Sequence, residues 1–90
     1  MKRIVLDSAH FKDRREAHRY LKDVLHFPDY YGENLDALYD VLSTWDRSAR
    51  FVLKLPAAPA GDLAAYLPRL VRVFRDAAGE NRRISVSING

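Results

Sequence analysis

Three short runs with the character of strands stand at the start, middle and end of the chain: Lys2–Asp7 (KRIVLD) with the β-branched pair Ile4-Val5, Phe51–Leu55 (FVLKL) ended by Pro56, and the alternating Arg83–Ile88 (RISVSI). Helical periodicity fills the intervals between them, and this alternation constrains the fold more than any other feature. Strands separated by helices imply parallel pairing through right-handed crossovers. The expected fold class is α/β, a small three-stranded parallel sheet covered by helices. With 90 residues the chain has room for a single domain over 1–90.

The first helix opens at Asp13, because Asp13-x-x-Glu16 has the form of a capping box. Ala17, Tyr20, Leu21, Val24 and Leu25 then recur at helical spacing and predict one buried stripe. Pro28 stops that helix by forcing the preceding residue out of the α region. Asn34 is the expected N-cap of a second helix, with Leu35, Leu38, Val41, Leu42 and Trp45 on its inner side. Asp36, Tyr39, Asp40 and Ser43 share the opposite arc, so this helix shows carboxylates beside an aromatic ring. Asp62–Leu67 reads as a short third helix and Pro68 as the first turn of a fourth, where a missing N–H costs nothing. Leu67, Leu70, Val71, Phe74, Ala77 and Ala78 form the inner stripe there, with Arg69, Arg72, Arg75 and Asp76 outside it. The count is therefore about four helices. The loop-rich stretch 56–62 is too short to divide domains.

Charge is segregated along this frame. The net charge is +3, yet residues 29–46 hold five acids (Asp29, Glu33, Asp36, Asp40, Asp46) and no Lys or Arg. The rest of the chain carries 15 basic residues and 7 acids, or +8 against −5. The acidic segment is thus the first candidate for function. An apolar content of 48% excludes wholesale disorder, and the absence of cysteine excludes disulfides, zinc ribbons and a thiol nucleophile. The apolar run after Arg3 ends at Asp7, too short for a secretory signal, and no run approaches a membrane span. The expectation is a soluble, cytoplasmic protein.

The residue types narrow the chemistry. His10, His18 and His26 form no nucleophile–base motif, and each reads as a surface or boundary residue. Asp36 and Asp40 could pair as hydrolase carboxylates, but no substrate-binding motif accompanies them. Glu33, Asp36 and Asp40 are hard oxygen donors without the spacing or central glycine of a calcium loop, so neither metal nor cofactor is expected. No glycine-rich phosphate loop exists. Arg69, Arg72, Arg75, Arg82 and Arg83 could track nucleic-acid phosphates, but arginine stems also cover the edges of any amphipathic helix. Only Phe74, on the inner stripe, lies among them as a stacking ring. Protein recognition fits best: Tyr30, Tyr31, Tyr39 and Trp45 stand among the five carboxylates, and Tyr and Trp anchor interfaces. Tyr30 and Tyr39 are expected to face outward, and Tyr31 and Trp45 to lie partly in the core.

The run from Pro28 to Asp40, PDYYGENLDALYD, resembles the signature of the barstar family of ribonuclease inhibitors. The resemblance extends to Leu42, Trp45 and Val73–Ala77, and the order of strands and helices covers essentially the whole chain. It implies a three-stranded parallel sheet with four helices. It also implies an intracellular inhibitor, monomeric when free, that forms a 1:1 complex with a small secreted guanyl-specific ribonuclease. No direct nucleic-acid or membrane partner is implied. The implied contact surface comprises Tyr30, Tyr31, Gly32, Asn34, Leu35, Asp36, Tyr39, Asp40, Ser43, Trp45 and Asp76. Asp40 would be the central phosphate mimic, Asp36 would pair with a further active-site cation, and Asp76 would be a peripheral carboxylate. Tyr30 would lie against the enzyme's catalytic histidine, Gly32 would let the loop approach closely, and Asn34 would cap the helix.

The chain departs from the barstar pattern at several positions. Tyr39 stands for a tryptophan, Ser43 for a threonine, and Asp76 for a glutamate one methylene longer. Arg50 occupies the region of a proline, and the chain is basic where barstar is acidic. Two other readings use different features: a nucleic-acid-binding domain on the arginines of 69–83, and a barstar-like module directed at a toxin that is not a ribonuclease.

Overall fold

A computed structural model of the chain describes residues 2–56, 59 and 61–89. Strand β1 (Lys2–Asp7) leads through a 3-10 turn, Ser8–His10, into α1 (Arg14–Leu25). Helix α2 (Leu35–Ser43), strand β2 (Ala49–Lys54), helix α3 (Asp62–Glu80) and strand β3 (Ile84–Asn89) follow. The strands form one parallel sheet in the order β1-β2-β3. Period-two alternation gives the sheet two different faces. Ile4, Phe51 and Val86 stand in one row and Leu6, Leu53 and Ile88 in the next, all packed in the core with the helices. The alternate rows point the other way: Arg3–Arg50–Ser85 and Asp7–Lys54–Asn89 carry mostly exposed polar residues, and between them Val5–Val52–Ser87 has Val52 buried and Val5 exposed.

The predicted caps are present. Asp13 accepts from the Glu16 N–H at 2.8 Å to start α1, and Asn34 accepts from the Ala37 N–H at 2.7 Å to start α2. Helix α1 ends at His26, whose φ of 56° is left-handed, with its N–H bonded to the Lys22 carbonyl.

Three expectations need correction. The segments read as a third and a fourth helix are one continuous α3, so there are three α-helices and a 3-10 turn instead of about four helices. Pro68 lies inside that helix, where it removes the N–H that Ala64's carbonyl would accept. Leu63, Tyr66 and Leu67 before it and Leu70, Phe74 and Ala77 after it are all buried, and that uninterrupted stripe holds the helix through the proline. Trp45 follows the end of α2 instead of riding on it, although its ring still packs edge-on against Phe27 and Phe51. In α1, Val24 is 38% exposed and His18 takes the buried place, at 1%. Within the 56–62 stretch, Ala57, Ala58 and Ala60 lie outside the described residues. At Gly61, φ 62° and ψ −144° demand glycine at the entry to α3.

Candidate protein-binding site

The loop from Phe27 to Asn34 joins α1 to α2 and is built on aromatic anchors. Phe27 is buried, and Tyr31 packs against it with ring centres 4.7 Å apart. The Tyr31 N–H closes a turn onto the Pro28 carbonyl at 2.9 Å. That turn divides the two tyrosines: Tyr31 is 6% exposed, whereas Tyr30 at the tip is 88% exposed. Tyr30 is therefore the projecting ring, and Tyr31 acts by holding the loop.

After the turn the backbone is fixed from both sides. A Cβ on Gly32 would sit 3.2 Å from Asn34 Nδ2 and 3.4 Å from Ala37 Cβ, so glycine leaves room for the cap. Asn34 returns Nδ2 to the Gly32 carbonyl at 3.2 Å while its Oδ1 caps α2. Glu33, between them, has φ 51°, a left-handed conformation that costs a non-glycine residue of order 1 kcal/mol. The strain lies where the loop turns into the helix.

Helix α2 presents Asp36 and Asp40 on its solvent side. Among the described residues, neither carboxylate nor that of Glu33 has an ion-pair partner. Asp29 and Asp46, by contrast, lie 4.0 Å from Lys22 and 3.7 Å from Arg47. The last turn of α2 is closed on the Asp40 backbone: the Thr44 N–H and Oγ1 and the Ser43 Oγ all donate to its carbonyl. Tyr39 is half-buried and packs partly against the core, so its ring is less free than expected. Leu35 and Trp45 are half-buried in the same way, and among the described residues the buried Trp45 indole N–H has no hydrogen-bond partner. Arg47 covers that ring at 4.6 Å.

Asp76 stands apart on the exposed side of α3, 3.8 Å from Arg72 one turn away. Among the described residues no hydrogen bond or ion pair links it to the loop or to α2. The arginines at 69, 72, 75, 82 and 83 are exposed, and Phe74 between them is fully buried, leaving no ring there for a base to stack on.

Two polar residues outside the expected set support the site. Asn81, buried after α3, donates from Nδ2 to the carbonyls of Leu42 and Trp45 at 3.0 and 2.9 Å, pinning the far end of α2. His18, from α1, is within 2.7 Å of the Tyr31 hydroxyl through Nδ1 and 2.5 Å of the Tyr66 hydroxyl through Nε2. The expectation of a surface or boundary histidine is therefore wrong for His18: two buried hydroxyls satisfy both ring nitrogens, which makes complete burial affordable. Its place at three-and-four spacing with Leu21 and Leu25 was the available signal. Burial lowers the His18 pKa from its ordinary 6.5, and the negative Glu33 partly opposes that shift. The Tyr31 and Tyr66 hydroxyls are raised, chiefly by burial; Arg14 and Arg69 offset part of the shift at Tyr66.

Among the described residues no three His, Cys, Asp or Glu side chains converge as metal ligands, and no helix is long and apolar enough to cross a membrane. Chemically, the arrangement offers unpaired carboxylates and a projecting tyrosine on a rigid support. A family model described as Barstar (barnase inhibitor) matches residues 1–89. The chain is also similar to a Bacillus subtilis (strain 168) protein named "Putative ribonuclease inhibitor YrdF", 40% identical over 81 residues and spanning 89% of each chain.

Proposed function

The chain belongs to the barstar family of barnase inhibitors, and from that premise we propose that it blocks a small secreted guanyl-specific ribonuclease. In this reading the protein acts in the cytoplasm as a 1:1 inhibitor and not as an enzyme. Tyr30 and the exposed side of α2 enter the enzyme's RNA-binding cleft. Such a cleft is cationic because it must hold phosphate, and a carboxylate accepts the same charge-assisted hydrogen bonds from arginine and lysine. Asp40 takes the central phosphate position and Asp36 a second one; Asp76 adds a peripheral carboxylate.

The observation that carries this reading is the pair of unpaired carboxylates on α2. A charge already satisfied within its own protein must lose that partner before it can serve another. Asp36 and Asp40 have none among the described residues, so the site is free to meet an outside cation. Its support is already ordered by the Asn34 cap and the Thr44 closure, so little conformational entropy remains to be lost on binding.

The test is to mix the protein with barnase and with the corresponding ribonuclease of the source organism. We expect a 1:1 complex and loss of RNA cleavage. The Asp40→Ala variant should weaken inhibition at least tenfold more than Asp46→Ala, since Asp46 lies beyond α2 and already neighbours Arg47. Equal losses in the two variants would refute the plug, and RNA cleavage by the purified protein alone would refute the non-enzymatic role.

A further inference from the structure

His18 is a polar side chain as deeply buried as its apolar neighbours Ala17 and Leu21, and it bridges the loop and α3. Its Nδ1 faces the Tyr31 hydroxyl of the loop and its Nε2 the Tyr66 hydroxyl of α3. Tyr31 lies between Tyr30 and Gly32 in sequence. Among the described residues, the other polar ties of this loop are its own turn, the Phe27 N–H bond to the Lys22 carbonyl at its start, the Asn34 bonds and an exposed Lys22–Asp29 contact. Among the described residues, the His18–Tyr31 bond is thus the buried polar connection between the loop tip and the body of the protein.

We propose that His18 is a positioning residue for inhibition: clamped on Tyr66, its neutral ring fixes Tyr31 and thereby sets the stance of Tyr30 and Gly32. This rests on the ribonuclease-binding reading of the loop.

The chemistry follows from proton counting. A neutral imidazole has one N–H and one bare nitrogen, so one tyrosine accepts from it and the other donates to it. A protonated ring donates from both nitrogens. The hydroxyl that had been donating must then turn its hydrogen away, and neither hydroxyl has another hydrogen-bond partner among the described residues. Protonation therefore keeps both ring–hydroxyl contacts but reverses one of them and leaves a buried hydroxyl hydrogen unpaired, so the geometry that the neutral ring sets is changed. The charges around the ring bear on this in both directions. Arg14 and Arg15 of α1 line the same cleft, and Arg14 and Arg69 of α3 act on Tyr66; at His18 itself burial disfavours imidazolium and Glu33 of the loop favours it. Burial is the larger of the two effects and favours the neutral ring.

The test compares wild type, His18→Gln and Tyr66→Phe as inhibitors of barnase from about pH 8 to about pH 5, with folding monitored by circular dichroism. At the upper pH both variants should inhibit roughly threefold to tenfold less well, the share of one hydrogen bond. The ratio of wild-type to His18→Gln inhibition constants should change as pH falls, because the wild type's clamp is reversed at one hydroxyl while glutamine has no charge to gain. Barnase titrates identically in both arms and cancels. A pH-independent ratio, or Tyr66→Phe inhibiting as well as wild type, overturns the proposal. Should His18→Gln fail to fold, Tyr66→Phe and NMR of the free wild type decide. The backbone amide signals of Tyr30 to Asn34 must move with the His18 imidazole titration, and still signals overturn it. If the wild type binds barnase at no pH, the inhibitory reading fails, while the NMR titration still decides whether His18 positions the loop.

Discussion

Asn34 serves two structures with one side chain. Its Oδ1 caps α2 at the Ala37 N–H, and its Nδ2 ties back to the Gly32 carbonyl. The two functions can be separated by substitution. Serine caps a helix about as well as asparagine does but cannot donate to Gly32 in the same geometry, whereas alanine does neither. Asn34→Ala should lower stability by about 1 kcal/mol, or roughly 4–8 °C in the thermal midpoint of a domain this size. Asn34→Ser should stay within a few tenths of wild type. Both should weaken barnase inhibition by a similar factor, because both release Gly32. Thermal unfolding and inhibition constants on the three proteins check this, and inhibition that follows stability alone would contradict the tie. At this scale the caps were legible in the sequence, since Asp and Asn before a periodic run have one dominant use. His18 was not. A histidine is judged by its chemistry as a surface or catalytic group, and its burial depends on Tyr31 and Tyr66, 13 and 48 residues away.

Helix α3 shows how a local rule yields to packing. A proline in a helix interior costs about 3 kcal/mol, enough to read Asp62–Leu67 and the segment after it as separate helices. Six buried side chains spread along both halves outweigh that cost, each contributing on the order of 1.5–3 kcal/mol for the larger ones. The stripe from Leu63 through Ala77 was present in the sequence, but the proline hid its continuity. Pro68→Ala restores the N–H facing Ala64 and should stabilise the protein. The gain is smaller than the full proline penalty, because alanine also loosens the unfolded chain by about 0.4–1 kcal/mol. A net rise of roughly 1–2 kcal/mol is expected from denaturant unfolding. No change or a loss would mean that the helix has relaxed around the ring. Inhibition should be untouched, as Pro68 is exposed and is none of the expected contact residues. The strands were read nearly as they stand, because the edge strands show one covered and one more open face and the central strand is a short apolar run ended by Pro56.

Over the whole molecule the uneven charge becomes a kinetic quantity. The segment 29–46 carries −5 on a remainder of +8, so a basic ribonuclease is attracted by one part of the surface and repelled by the rest. Which part prevails depends on salt. The molecule measures 34 × 28 × 19 Å, while charges are screened beyond about 8 Å at 0.15 M and about 30 Å at 0.01 M. At the higher salt an approaching enzyme senses the local field of Asp36 and Asp40; at the lower it senses the net +3 as well. Arg82→Glu combined with Arg83→Glu changes the net charge by −4 at exposed positions outside the acidic segment. The association rate constant with barnase should therefore rise several-fold at about 0.01 M salt and hardly at all at about 0.15 M. The dissociation rate should stay unchanged at both, because the contacts of the bound state are untouched. Stopped-flow association at the two salt concentrations measures this directly. A faster dissociation would place the two arginines inside the interface. An equal gain at both salts would mean that they lie within a screening length of the bound enzyme. The expected pattern, confined to low salt, would show that the basic bulk of this protein hinders encounter without taking part in recognition.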